Sequence, residues 1–120
     1  MDINQIVRTL IKRFGTANPF KICELLNVIL VIQPLIGSKG VYKYFERNMI
    51  ICIDSNLSYT EQLFVCAHEL GHAIMHTKIN TFFLKNYTFF PTDHYEIEAN
   101  EFAKALIEIY INEYGGDING

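Results

Sequence analysis

The sequence predicts an α+β fold, a helical domain in which a small three-stranded antiparallel sheet packs on a central helix. Apolar residues recur at helical spacing in both end regions, and a middle segment is rich in β-branched and aromatic residues between turn signals. The chain has 120 residues, 50% of them hydrophobic, which suits one core rather than two. We therefore expect a single domain over residues 1–120, with a frayed tail from Gly115 to Gly120.

Helices should open the chain and a sheet should follow. Apolar residues keep helical spacing from Ile3 to Phe14, and Gly15 is a typical helix stop. Asn18 and Pro19 indicate the cap and first turn of a short second helix. The predicted strands, each ending where Gly, Ser, Asn or charged residues begin, are Val28–Gln33, Val41–Phe45 and Met49–Ile53.

Two longer helices are predicted in the second half. Ser58 and Glu61 form a capping-box pattern that starts a helix with apolar residues on all sides, so this helix should run through the middle of the domain. Gly71 within it either lets another element approach or is merely tolerated. A last helix should run from His94 to about Glu113 with Asp93 as its cap.

The connection between these helices, Ile79–Thr92, is rich in aromatic residues. Most aromatics of this kind belong to the core. The alternative is that Phe82–Phe90 lines a cleft for an extended peptide, since loops beside a rigid site commonly carry specificity.

The first long helix carries the pattern HExxH at residues 68–72. Residues four apart share one helical face, so the imidazoles of His68 and His72 can grip one metal ion. Glu69 lies one step round the helix, where in such sites it acts on water rather than on the metal. This pattern is typical of zinc hydrolases, although histidines at chance spacing would also produce it.

A catalytic zinc site needs a third protein ligand, and the last helix offers two acids. On a helical projection Glu96 falls well inside the apolar sector, whereas Glu98 falls at its margin. A carboxylate aimed into a core needs a partner, which favours Glu96 as the ligand over Glu98. The alternative for Glu96 is a capping box with Asp93.

Several neighbouring residues have open roles. Asn100, one turn beyond Glu96, either holds a ring nitrogen of a ligating histidine or is an ordinary buried Asn. For His76 we prefer a structural role at the helix end, where the dipole favours a cation. His94 and Tyr95 receive no role.

Charge and cysteine content exclude several classes of protein. The formal charge is −3 without a Lys/Arg cluster, which argues against nucleic acid as a direct ligand. Three cysteines without a CxxC pattern fit small core residues of a reduced protein. No leader-like or membrane-spanning apolar run is present in the sequence, so we expect a cytoplasmic protein without membrane contact.

Two segments of the second half of the chain resemble a known family of proteins. HELGHAIMH, a gap of about twenty residues and then EIEANEFAKALI resemble the ImmA/IrrE metallopeptidases of the gluzincin group. The resemblance implies that His68, His72 and Glu96 bind zinc and that Glu69 is the base. Asn100 stands where related gluzincins often have Asp.

The resemblance also implies a function. Members of the family are expected to be intracellular zinc endopeptidases that cut a helix-turn-helix repressor and release a phage or mobile element, which makes them anti-repressors. Two other readings stay open: a non-catalytic metal-containing module that binds a partner protein, and a structural domain whose zinc site is closed by four ligands.

Overall fold

The computed structural model describes residues 2–79 and 93–118. Helices and a small sheet share this part of the chain, and the predicted α+β class is confirmed. The elements are α1 (Ile3–Phe14), α2 (Pro19–Leu25), β1 (Ile29–Gln33), β2 (Gly40–Phe45), β3 (Asn48–Asp54), α3 (Tyr59–Met75) and α4 (Asp93–Tyr114). The predicted aromatic segment Phe82–Phe90 lies outside the described residues.

The first two helices begin and end where their capping residues predict. Asn18 caps α2 by accepting from the Phe20 N–H at 3.0 Å, and Pro19 occupies the first turn. Gly15 ends α1 with φ of 70°, and its N–H donates to the Ile11 carbonyl. A positive φ of this size is accessible to glycine at little cost, so the stop follows from the residue type.

The sheet is mixed, which corrects the antiparallel arrangement that the sequence predicted. Its strand order is β1-β3-β2, with β1 parallel and β2 antiparallel to β3. Successive strands run in opposite directions, but β3 rather than β2 is the central strand of the sheet. A central strand needs apolar cover, and Ile51 and Ile53 of β3 are fully buried, whereas β1 is largely exposed. β2 is consequently an edge strand.

Helix α3 is central, as predicted, and contacts α2, β2, β3 and α4. Its start matches the predicted cap, since Ser58 Oγ accepts from the Glu61 N–H at 3.2 Å. A Cβ at Gly71 would lie 3.1–3.2 Å from three atoms of the fully buried Phe102 on α4. The missing side chain therefore lets α4 approach, which favours the first of the two roles considered for Gly71.

The chain after α4 turns back onto the domain over its described part. The Gly116 N–H donates to the Tyr110 carbonyl at 2.8 Å, and Thr60 Oγ1 donates to the Ile118 carbonyl. Gly116 and Ile118 make these contacts, residues 119–120 lie outside the described residues, and the frayed tail from Gly115 to Gly120 stays a prediction. Among the helices described, none is long and apolar enough to cross a membrane.

Candidate metal centre

His68 and His72 lie on one face of α3, as their spacing predicts. Their ring centroids are 5.0 Å apart and the rings meet edge to face at 79°. His72 is fully buried and His68 is partly buried. Both Nε2 atoms point towards the same side chain on α4.

That side chain is Glu96, which the sequence favoured as the third ligand. Its Oε2 lies 3.1 Å from His68 Nε2 and its Oε1 lies 2.9 Å from His72 Nε2. Its contact with His68, and then that with His72, holds the pKa of the carboxyl far below its usual range. Glu98 instead contacts His76, with Oε1 2.8 Å from His76 Nε2. Asp93, the alternative partner of Glu96 in a capping box, lies outside the side chains that the structure describes.

Asn100 orients the first histidine. Its Oδ1 lies 2.8 Å from His68 Nδ1, so that nitrogen donates and carries a proton. The Glu96 carboxylate at Nε2 also accepts. Burial opposes charge on His68, but its bonds to Glu96 and Asn100 and the charges of Glu69 and Glu96 outweigh burial and raise the pKa of the imidazole. A cation at Nε2 would take the place of the second proton.

The surroundings of His72 favour a bound cation more strongly than those of His68. Burial comes first among the influences on it and lowers the pKa of the imidazole, so its protonated form is disfavoured. Its Nε2 is buried and has no hydrogen bond of acceptable geometry, although Glu96 Oε1 is near. With the ring proton on Nδ1, the lone pair on Nε2 and the Glu96 carboxylate at 2.9 Å would repel each other unless a cation lay between them.

The spacing of these atoms suits zinc. Metal–ligand distances of about 2.0–2.1 Å in a tetrahedral site place ligand atoms roughly 3.3 Å apart. The observed separations of 2.9 and 3.1 Å would need to open by only a few tenths of an ångström. Two imidazole nitrogens and one carboxylate therefore fit the ion in both chemistry and size.

Glu69 lies beside this cluster and is 1% exposed. Atoms of ligand type on His68, Glu69 and His72 all come within 4.8 Å of one another. The Glu96 oxygens lie 3.1 and 2.9 Å from the two Nε2 atoms, which places Glu96 to share an ion with both imidazoles. Glu69 thus lies next to the proposed ion position, and its role as the base stays a prediction.

A further pair of side chains lies behind His72. His76 Nδ1 is 3.0 Å from His72 Nδ1, and His76 Nε2 is 2.8 Å from Glu98 Oε1. His76 closes α3, which agrees with a role at the helix end, but its ring contacts were not predicted. Tyr95 meets the same ring edge to face with centroids 4.8 Å apart. The third histidine at an interval of four was the available signal.

Cys66 takes no part in the site. Its Sγ lies 3.7 Å from that of Cys23, and both residues are fully buried. The contact with Cys23, together with burial, raises the pKa of the Cys66 thiol well above its usual range. The prediction of core cysteines thus holds for these two residues, whereas Cys52 is partly exposed.

A cleft of about 410 Å³ opens beside the histidines. Gly40, at the start of edge strand β2, lines it together with His68 and Glu69. A second cleft of about 350 Å³ shares Phe64, His68 and Asn100 with it and continues between α3 and α4. A further cleft of about 750 Å³ lies between the start of α1 and α4 and is lined by none of the candidate site residues.

Comparison with known proteins agrees with this geometry. A family model described as the IrrE N-terminal-like domain, of a peptidase family, matches residues 23–110, which include the whole cluster. The chain is 32% identical over 105 residues to Metallopeptidase ImmA of Bacillus subtilis strain 168. It is 44% identical over 106 residues to a protein of Bacillus phage phi105 named "Uncharacterized immunity region protein 2".

The two alignments each include 88% of this chain and span 67% of the phage protein and 62% of ImmA. The family match covers well over half of the chain and contains both helices that build the cluster. On this match, and on the similarity to ImmA, the chain belongs to the ImmA/IrrE family of metallopeptidases.

Proposed function

We propose that this protein is a zinc-dependent endopeptidase in which His68, His72 and Glu96 hold the metal and Glu69 is the general base. One observation carries the proposal: the buried Nε2 of His72 lies 2.9 Å from the Glu96 carboxylate without a well-formed hydrogen bond, and the buried carboxylate of Glu69 lies alongside. This arrangement is costly without a cation and suits peptide hydrolysis with one.

Zinc, when bound, supplies Lewis acidity and lowers the pKa of water to about 7. The remaining chemistry belongs to the protein. Glu69 accepts a proton from the attacking water and passes it to the leaving amine. Burial keeps bulk water from competing for this carboxylate, and Asn100 keeps the His68 ring in place through its Nδ1 bond.

The substrate would bind as an extended segment along β2. β2 is an edge strand, and its outer backbone groups can pair with an added strand. Its first residue, Gly40, borders the cleft that holds His68 and Glu69, so a segment paired there passes the cluster. Phe64, 41% exposed and shared by both clefts, is placed to contact an apolar side chain of that segment.

We infer that the partner is a protein, a helix-turn-helix repressor cut at one or a few bonds in the cytoplasm. This step relies on the relatives: one is named as a metallopeptidase, and the other is named for an immunity region of a phage. A general protease would damage the proteins around it, so narrow specificity is expected. The protein would then act as an anti-repressor, with neither nucleic acid nor a membrane as a direct ligand.

The test is a digest of a repressor encoded beside the gene, followed by mass spectrometry. Zinc-loaded wild-type protein should cut it at one or a few bonds and leave casein nearly intact. Glu69→Gln should be inactive, and the surface variant Glu101→Gln should cut like wild type. Efficient casein degradation, or no cleavage of the repressor by zinc-loaded protein, would contradict the proposal. Tight binding of the repressor without cleavage would identify a binding module instead.

A further inference from the structure

A buried chain of hydrogen-bonding groups runs from His72 away from the Glu96 carboxylate. It passes through His76, which is 6% exposed, and ends at Glu98 on α4. The backbone fixes the middle of this chain, since the His76 N–H donates to the His72 carbonyl at 2.7 Å. The described ring and carboxylate atoms are 3.0 and 2.8 Å apart, which is hydrogen-bonding distance at both steps.

The carboxylate of Glu98, at the end of this series of hydrogen bonds, determines which ring nitrogens of His76 and His72 carry protons. An ionised carboxylate only accepts, so His76 Nε2 must carry the proton that faces Glu98. In neutral His76 the other nitrogen, Nδ1, is then an acceptor. His72 Nδ1 must therefore donate to it, and this leaves the lone pair of His72 on Nε2, the atom that faces Glu96.

We infer that Glu98 and His76 form a positioning pair that fixes the tautomer and the ring direction of His72 for metal binding. The inference rests on the proposed function, because it takes Nε2 of His72 to be a metal ligand. Glu98, set aside as a ligand, thus acquires a role through another residue. Neither member of the pair is a proposed metal ligand or the proposed base.

Two features separate this pair from an incidental buried contact. First, Tyr95 lies edge to face against the His76 ring at 73°, which holds the ring plane in which both nitrogens must lie. Second, α4 supports both histidines alike: Asn100 accepts from Nδ1 of His68, and Glu98, through His76, makes Nδ1 of His72 a donor. One helix thus supplies a proton acceptor behind each ring and the carboxylate in front of both.

The experiment replaces the acceptor while keeping side-chain length. Glu98→Met removes both oxygens, and Glu98→Gln keeps one acceptor oxygen. Glu101→Met is the matched control, because it makes the same change on the exposed surface of the same helix. Two quantities are measured: the ring ¹⁵N shifts of His72 in metal-free protein above the ordinary imidazole pKa, and the zinc dissociation constant by titration against a chelator.

We expect metal-free wild-type protein to show His72 protonated at Nδ1 and bare at Nε2. Glu98→Met should mix the two tautomers and raise the zinc dissociation constant about 10–100-fold, the usual effect of losing a partner behind a ligating histidine. Glu98→Gln should recover most of the wild-type tautomer population and most of the zinc affinity. Glu101→Met should change neither of these two quantities. If Glu98→Met does not fold, His76→Phe replaces it, since it keeps a ring and removes both nitrogens.

The inference is overturned if metal-free wild-type His72 carries its proton on Nε2. It is also overturned if Glu98→Met, or His76→Phe in its place, keeps the wild-type tautomer and binds zinc as tightly as Glu101→Met. Failure of the proposed function would be distinguishable, because it would show as wild-type protein that binds no zinc. In that case the tautomer of His72 would be the measurement that tests the positioning role.

Discussion

Replacing Gly40 by alanine tests how closely β2 is pressed against the candidate site. A Cβ at Gly40 would overlap Val65 Cγ1 of α3 and lie 3.3 Å from both Glu69 Cγ and the Cys52 carbonyl oxygen. Gly40 does not have a positive φ, so alanine is conformationally acceptable there. The effect of the substitution therefore comes from packing against α3.

Overpacking of this kind costs about 1–3 kcal/mol, and replacing a strand glycine by alanine returns roughly 0.5–1 kcal/mol. The net loss should be roughly 0.5–2 kcal/mol, because the β-branched Val65 side chain is stiff at χ1 and yields poorly. For a chain of this length that corresponds to a fall in Tm of roughly 3–10 °C. Cleavage should fall as well, since Glu69 is displaced, while zinc content stays unchanged.

Thermal and urea unfolding of four proteins measures this: wild type, Gly40→Ala, Val65→Ala and the double variant. Val65→Ala removes the overlapping methyl groups, so the double variant should be about 1 kcal/mol more stable than the sum of the single effects. Wild-type stability of Gly40→Ala together with additive effects in the double variant would refute the close packing of β2 on α3.

Four further substitutions test the assigned roles. Glu69→Gln should keep zinc and lose hydrolysis, and cleavage at the wild-type rate would mean that the base is another residue. Glu96→Ala should deplete zinc, whereas Glu98→Ala should retain most of it at stoichiometric loading; reversed metal contents by elemental analysis would move the ligand to Glu98. Gly71→Ala should destabilise the fold in spite of a helix-propensity gain of about 1 kcal/mol, because Phe102 lies 3.1–3.2 Å from the new Cβ; a urea midpoint above that of wild type would contradict this.

Local sequence signals predict what depends on neighbouring residues. Gly15, Asn18 and Ser58 end or start helices through bonds to groups within four residues, so their effects are visible in the sequence. The side of α4 on which Glu96 lies can likewise be read from the sequence of that helix alone, because α4 is long and one of its faces is buried. The structure accordingly brings Glu96 to the two imidazoles at 2.9–3.1 Å.

What the sequence missed depends on distant packing. The central place of β3 follows from competition among strands for apolar cover, which no single strand pattern records. The contact of His76 with Glu98 joins the end of α3 to α4, 22 residues further along the chain. Helical spacing places His76 in line with His72, but only the tertiary arrangement shows which side chain accepts its proton.

Zinc content after single histidine substitutions tests the central claim most directly. His68→Ala and His72→Ala each remove one of three proposed ligands, and His94→Ala removes an exposed histidine outside the cluster. Elemental analysis of protein dialysed against a weak chelator should give one zinc per chain for wild type and His94→Ala and strongly reduced zinc for the other two. Full zinc content in both His68→Ala and His72→Ala would contradict the account of the metal centre.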